Sequence, residues 1–427
     1  MREEHGYGLV SDSSQVGKKH PTFLHDSVLE VNESLGDFTS MKIGDDTVEF
    51  HHARGETDDH LWAFFPDRKW IATGDFIIWN FPNAGNPQKV QRWPIEWAAA
   101  LRRMITQQPE LLLPAHGWPI EGKDRIARVL DEIATALENL VREEHGYGLV
   151  SDSSQVGKKH PTFLHESVLE VNESLGDFTS MKIGDDTVEF HHARGETDDH
   201  LWAFFPDRKW IATGDFIIWN FPNAGNPQKV QRWPIEWAAA LRRMITQQPE
   251  LLLPAHGLPI EGKDRIARVL DEIATALENL VREVLQMMNA GETLDTIIHA
   301  VKVPDATLGR PYLRPMYDEP EFIVHNVWRQ FGGWWDGAAS RLKPAPDAAV
   351  GAEVAALAGG ADVLVRRAQK LAEEGDLRLA CHLADFAGWA VPDDPEVHGI
   401  RAEIYERRRK AELSLMAKGI FAAASKE

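Results

Sequence analysis

The sequence predicts an α/β protein carried as two tandem copies and followed by an all-α region. Three observations predict it. Residues 2–141 and 142–281 align without a gap at an offset of 140 and differ at two positions, Asp26 against Glu166 and Trp118 against Leu258. Within each copy, short apolar runs bounded by turn residues alternate with longer runs whose apolar side chains recur every three or four positions. From residue 284 onward only the helical spacing remains. The expected domains are therefore 1–141, 142–283 and 284–427. Solenoid repeats are shorter and diverge, so a unit this long and this uniform points to a recent duplication.

Each element has a local reason. Thr47-Val48-Glu49-Phe50 reads as a strand after the Gly44-Asp45-Asp46 turn, and Pro66-Asp67-Arg68-Lys69 turns the chain between strands at 60–65 and 70–73. Pro94 opens a helix to about Gln107, because a first helical position needs no N–H donor. Leu111-Leu112-Leu113 is a short buried strand. After Gly122, the residues Ile126, Val129, Leu130, Ile133, Leu137 and Leu140 form one apolar stripe of a long helix. The second copy's version runs on into Val284–Met288. Helices follow at 292–301 and 320–328, then the aromatic knot Phe331-Gly332-Gly333-Trp334-Trp335 and the linker Lys343-Pro344-Ala345-Pro346. Paired helices at 361–374, 377–389 and 395–410 have the look of tetratricopeptide-type hairpins without a repeated signature.

Composition narrows the function. A formal net charge of −20 argues against a nucleic-acid partner, which calls for a basic footprint. Cys381 is the single cysteine, so no intrachain disulfide forms. The start of the chain has no apolar signal core, and no run approaches the roughly 18 apolar residues of a membrane span. A cytoplasmic protein is expected, although Met1 stands at the position equivalent to Val141, which precedes the second copy, so the chain opens inside a helical stretch and looks truncated.

The chemistry-bearing residues gather in one ordered set per copy. These are Gly55-Glu56-Thr57-Asp58-Asp59-His60, Gly74-Asp75 and Pro114-Ala115-His116-Gly117, repeated with Glu196, Asp199, His200, Asp215 and His256. Carboxylates and imidazoles beside glycine at strand ends suit a divalent cation. Taken singly they also have plain explanations: a Gly-Asp pair is common in turns, and a histidine after a strand can bond to backbone. His5, His20, His25, His51 and His52 read as surface or loop residues, His325 as a core-edge histidine, and Trp334, Trp335 and Trp389 as packing or subunit contacts. The polar loop 82–92 and its second version follow the aspartate strand. Asn223, Asn226, Lys229 and Arg232 there offer donors to a sulfate, phosphate or carboxylate, or else the loop is stapled by its own hydrogen bonds.

These motifs resemble the later half of a metallo-β-lactamase-fold hydrolase, in particular the alkyl (type III) sulfatases, where glutamate stands in a histidine slot. Tyr317-Asp318-Glu319-Pro320-Glu321-Phe322 through Gly332-Gly333-Trp334-Trp335-Asp336-Gly337 resembles that group's helical dimerisation domain. The resemblance implies metallo-β-lactamase-like half sandwiches, tandemly duplicated, ahead of an all-α dimerisation domain. It implies Glu56, Asp75, His116, Glu196, Asp215 and His256 as metal ligands, with Asp75 and Asp215 the bridging, catalytic carboxylates. Asp59, His60, Asp199 and His200 would orient those ligands through hydrogen bonds. It further implies zinc, two ions per complete site, with manganese as the second choice, a small ester substrate and a homodimer. The family's His-x-His-x-Asp-His motif occurs nowhere in the sequence. Two functions stay open: a metal-dependent alkyl sulfatase-like hydrolase, impaired by that absence, or a non-catalytic remnant acting through its helical domain.

Overall fold

The computed structural model describes residues 37–78, 82, 84, 92–115, 118–143 and 176–426. The first copy forms β1 (Phe38–Ile43), β2 (Asp46–His52), β3 (Leu61–Phe65), β4 (Trp70–Gly74), α1 (Pro94–Thr106), β5 (Leu111–Pro114), β6 (Ile120–Glu121) and α2 (Lys123–Glu143). The second forms β7 (Phe178–Ile183), β8 (Asp186–His192), β9 (Leu201–Phe205), β10 (Trp210–Gly214), α3 (Pro234–Thr246), β11 (Leu251–Pro254), β12 (Ile260–Glu261) and α4 (Lys263–Ala290). Each copy is thus one six-stranded sheet whose strands lie in sequence order. Neighbours are antiparallel apart from β4 with β5 and β10 with β11. A parallel pair needs a crossover, and the Pro-initiated helices α1 and α3 supply it.

One face of each sheet carries the core. Burial alternates along β3 and β4, which sends Trp62, Phe64 and Ile71 inward. They meet Trp97, Leu101 and Met104 of α1 and Ile126, Leu130 and Leu137 of α2. Burying each such side chain contributes roughly 2–3 kcal/mol. The Trp97 and Trp237 indoles add hydrogen bonds to the Phe76 and Phe216 carbonyls, at 3.1 and 3.2 Å.

The central strands and both helices of each copy lie where the sequence predicts them. β1 and β6 were not foreseen: β1 is mostly exposed along its length and β6 has two residues, so neither leaves a hydrophobic signature. By packing, the described residues fall into two compact units. One is the first copy together with Val284–Ile297 and Val327–Asp336, and the other is the second copy together with Ile298–Asn326 and residues 337–426.

The remainder is helical: α5 (Leu294–Ala300), α6 (Asp305–Leu308), α7 (Pro320–Gly332), α8 (Ala339–Leu342), α9 (Asp347–Ala358), α10 (Ala361–Glu374), α11 (Leu377–Ala390), α12 (Pro395–Ala411) and α13 (Leu415–Ala424). Local chemistry marks the boundaries. Gly375, at φ +92°, ends α10, and Asp376, Asp394 and Ser414 cap α11, α12 and α13 through their side-chain oxygens. α9 and α13, missed by the periodicity, are rich in alanine, which leaves little contrast between their faces. Among the described residues no single helix is long and apolar enough to cross a membrane.

Candidate functional site

Sheet topology brings the site together. β10 and β11 are parallel neighbours, so the residues following them, Asp215 and Ala255-His256, emerge at the same end. β9 runs antiparallel to β10 and therefore begins at that end, which places the 193–200 turn and Glu196 there too. Three segments far apart in sequence thus converge on one sheet edge, the usual place for reactive groups beside parallel strands. The Ala255 N–H donates to the Gly214 carbonyl at 3.2 Å and ties two of these segments directly.

Gly214 is required here. Its φ is +54°, and a Cβ would sit 3.0 Å from His200 Nε2. The bulge between Ala212 and Gly214 turns Asp215 out of the strand.

Asp215 Oδ1 lies 3.3 Å from His256 Nε2, near enough for attraction yet not aligned as a hydrogen bond. The Glu196 carboxyl is next to Asp215; burial and that neighbouring charge raise its pKa, against the pull of Arg232. Arg232, 2% exposed, donates through Nη2 to Glu196 Oε1 at 3.2 Å and through Nη1 to the Glu196 carbonyl. Asn223 Nδ2 donates to the same Oε1 at 2.7 Å. Glu196 is therefore clamped from one side and faces a like charge on the other.

The flanking residues are placed plainly. His200 stacks on Phe216 with ring centroids 4.1 Å apart, and burial lowers its pKa to about 4, so it is neutral at pH 7. Thr197 Oγ1 donates to Asp199 Oδ1 at 2.6 Å, closing a local turn. Of the loop donors, Arg232 and Asn223 are engaged with Glu196, and Asn226 accepts from the Gln228 N–H at 3.2 Å. The Lys229 N–H donates to the Asn226 carbonyl at 3.4 Å. Of these, only the Asn226–Gln228 and Lys229–Asn226 bonds lie within the loop itself.

The first copy repeats the local part. Arg92 donates to the Glu56 carbonyl and to Glu56 Oε1, the latter at 3.3 Å, and His60 stacks on Phe76 at 4.1 Å with its pKa also about 4. Thr57 Oγ1 donates to Asp59 Oδ1 at 2.7 Å. Asp75 follows β4 as Asp215 follows β10. His116 lies outside the described residues, as do His5, His20 and His25.

Whether these residues fit a cation depends on chemistry and number. Two carboxylates and an imidazole are suitable donors, and Asp215 Oδ1 is buried without a hydrogen-bond donor, which leaves lone pairs for a cation. The number is short, because among the described residues no group of three or more His, Cys, Asp or Glu side chains converges with metal-binding geometry. Glu196, Asp215 and His256 fit part of a cation site and not a whole one.

Sequence reasoning missed Trp219, Asp318 and Asn326. Trp219 has φ +52° and donates its indole N–H to the Leu258 carbonyl at 2.8 Å, lying against Gly257 beside His256. Asp318 and Asn326 hold the loop that carries Asn223 and Arg232. An aspartate just before a helix reads as a cap, so nothing local pointed to the loop.

The fold is two mixed-sheet α/β units followed by a helical region. Residues 293–427 match the family profile described as alkyl sulfatase dimerisation. A linear primary-alkylsulfatase of Pseudomonas sp. is 27% identical over 233 residues, 53% of this chain and 44% of that protein. An (R)-specific secondary-alkylsulfatase of Pseudomonas sp. is 26% identical over 226 residues, 52% of this chain and 34% of that protein. The solved structure of the stereoselective inverting sec-alkylsulfatase Pisa1 from Pseudomonas sp. superposes with a TM-score of 0.56 at 17% identity, covering 91% of this chain and 64% of that one. The chain spans less than half the length of the two curated relatives. Residues 293–427 thus match the alkyl sulfatase dimerisation profile, and the chain is similar to alkyl sulfatases over about half of its length.

Proposed function

We propose that the second copy carries the remains of a metal-dependent ester hydrolase site of the alkyl sulfatase type, and that residues 293–427 pair two chains into a homodimer. The observation that carries this is the meeting of Glu196, Asp215 and His256 at one sheet edge, with Asp215 Oδ1 3.3 Å from the imidazole. Glu196, Asp215 and His256 would contribute part of the ligand set for the cation, zinc first and manganese second. When bound, it would lower the pKa of a water toward 7 and stabilise charge on an ester oxygen. The chain's own contribution is positional. Arg232 and Asn223 fix Glu196 against Asp215, and neutral His200 packs behind Gly214. Turnover is reduced, because the ligand set falls short and the His-x-His-x-Asp-His motif is absent from the sequence.

Metal content and sulfate release from primary and secondary alkyl sulfates test this together. The expected result is bound zinc or manganese and a slow hydrolysis that Asp215→Ala lowers by about a hundredfold or more, with Asp75→Ala changing it little. The shortage of ligands favours a second proposal, a non-catalytic duplicated remnant that only dimerises. A metal-free chain, inert toward sulfate, phosphate and lactone esters and still dimeric by light scattering, would establish that remnant instead.

A further inference from the structure

The loop that clamps Glu196 is itself held by residues from outside the repeat. The buried Asp318 carboxylate accepts the Gly225 N–H at 2.6 Å and the Asn226 N–H at 3.3 Å through Oδ2, and the Glu319 N–H at 2.7 Å through Oδ1. Gly225 is pressed so closely onto α7 that a Cβ would meet the Phe322 backbone at 2.4 Å. Asn326, one helical face further on, closes the other end. Its Oδ1 accepts from the Arg232 N–H at 3.3 Å and from Gln231 Nε2 at 3.0 Å, and its Nδ2 donates to the Arg232 carbonyl at 2.9 Å. Of the two donors on Glu196, Arg232 sits at the second fastening and Asn223 lies two residues before the first. The template is anchored in turn: Ser414 Oγ donates to the Tyr317 carbonyl at 2.7 Å, and Arg378 forms a bidentate pair with Glu321 at 3.0 and 2.6 Å.

We propose that Asp318 and Asn326 are positioning residues for the Glu196 site: through the 221–232 loop, the helical domain sets where Asn223 and Arg232 grip that carboxylate. The inference rests on the hydrolase reading for its functional meaning, while the loop geometry stands on its own. A fully buried carboxylate is costly unless hydrogen-bonded, and three backbone N–H groups compensate it here only if the loop is in place. Loop placement and helix-domain docking are therefore one event.

Limited trypsin digestion of the full chain tests this, comparing wild type with Asp318→Asn and Asn326→Ala. Asp318→Asn keeps the shape but offers an amide to incoming N–H donors, and Asn326→Ala serves should the first variant fail to fold. Cleavage at Lys229–Val230 releases a fragment whose mass distinguishes it from cleavage at Lys89–Val90 in the other copy. The expected result is acceleration at Lys229–Val230 of about tenfold or more relative to the Lys209–Trp210 hairpin bond, which reports local rather than global opening. Parallel acceleration at both bonds, or none, overturns the proposal. If the wild type releases sulfate, the same variants lower kcat about tenfold with KM held within about twofold, and an unchanged kcat overturns the positioning role. A wild type with no hydrolysis fails the functional reading alone, because the protease result still decides whether Asp318 and Asn326 hold the loop.

Discussion

Two stretches of the same sequence occupy different surroundings in this chain. The first copy's sheet, its His60–Phe76 stack and its Arg92–Glu56 pair recur in the second with nearly equal geometry: 4.1 Å for both stacks, and 3.3 against 3.2 Å for the pairs. In the second copy the loop bearing Asn223 and Arg232 is described, and Asp318 and Asn326 from outside the repeat fasten it; most of the first copy's loop lies outside the described residues. The sheet and the arginine clamp therefore recur wherever the repeat sequence does. The finished loop is a joint product of repeat and helical domain.

The largest expected effect tests the shared part. Trp97 and Trp237 are fully buried, and replacing either with alanine strands a carbonyl and opens a cavity, costing about 3–5 kcal/mol of its own unit. Equal costs in denaturant melts support local encoding of the sheet, and a twofold disparity breaks it. Next comes pH, which separates the copies' common histidine from the second unit's aspartate. Burial pushes His60 and His200 down to about 4, so their stabilisation is complete above pH 6.5 and is lost as pH falls toward 4. Burial pushes Asp318 up to about 7, so its contribution is complete below pH 3.8 and is lost as pH rises through 7. His60→Gln and His200→Gln should each flatten the acid limb by about 3 kcal/mol, while Asp318→Asn flattens the neutral limb of its unit alone. Melting curves from pH 4 to pH 8 check both signs. The smallest effect is at the copies' one described difference: Trp118 and Leu258 are 79% and 74% exposed, so exchanging them should shift stability by under about 0.5 kcal/mol.

The sequence showed most of what depends on neighbours in the chain. The Pro94 helix start, the Pro66–Lys69 turn and the apolar stripe from Ile126 to Leu137 each have a periodicity or a turn residue that announces them. The glutamate, aspartate and histidine motifs fell at strand ends, which can be read locally, and the sheet brings those ends to one edge. β1 escaped notice because an exposed strand has no buried face to mark it. The stack of His200 on Phe216 could not be read from the sequence, because it joins residues from two strand-end segments and belongs to packing that no single segment contains.

By itself the sequence determined the duplication, the strands and helices of each copy, and which carboxylates and imidazoles leave the strand ends. Those follow from side-chain periodicity and backbone preference, which act over a few residues. Tertiary structure decided that Asp215 meets His256, that Arg232 bonds Glu196, and that Asp318 takes the Gly225 N–H of the loop. Such pairings join segments up to 93 residues apart, where burial and hydrogen-bond satisfaction choose the partners and the local pattern is silent.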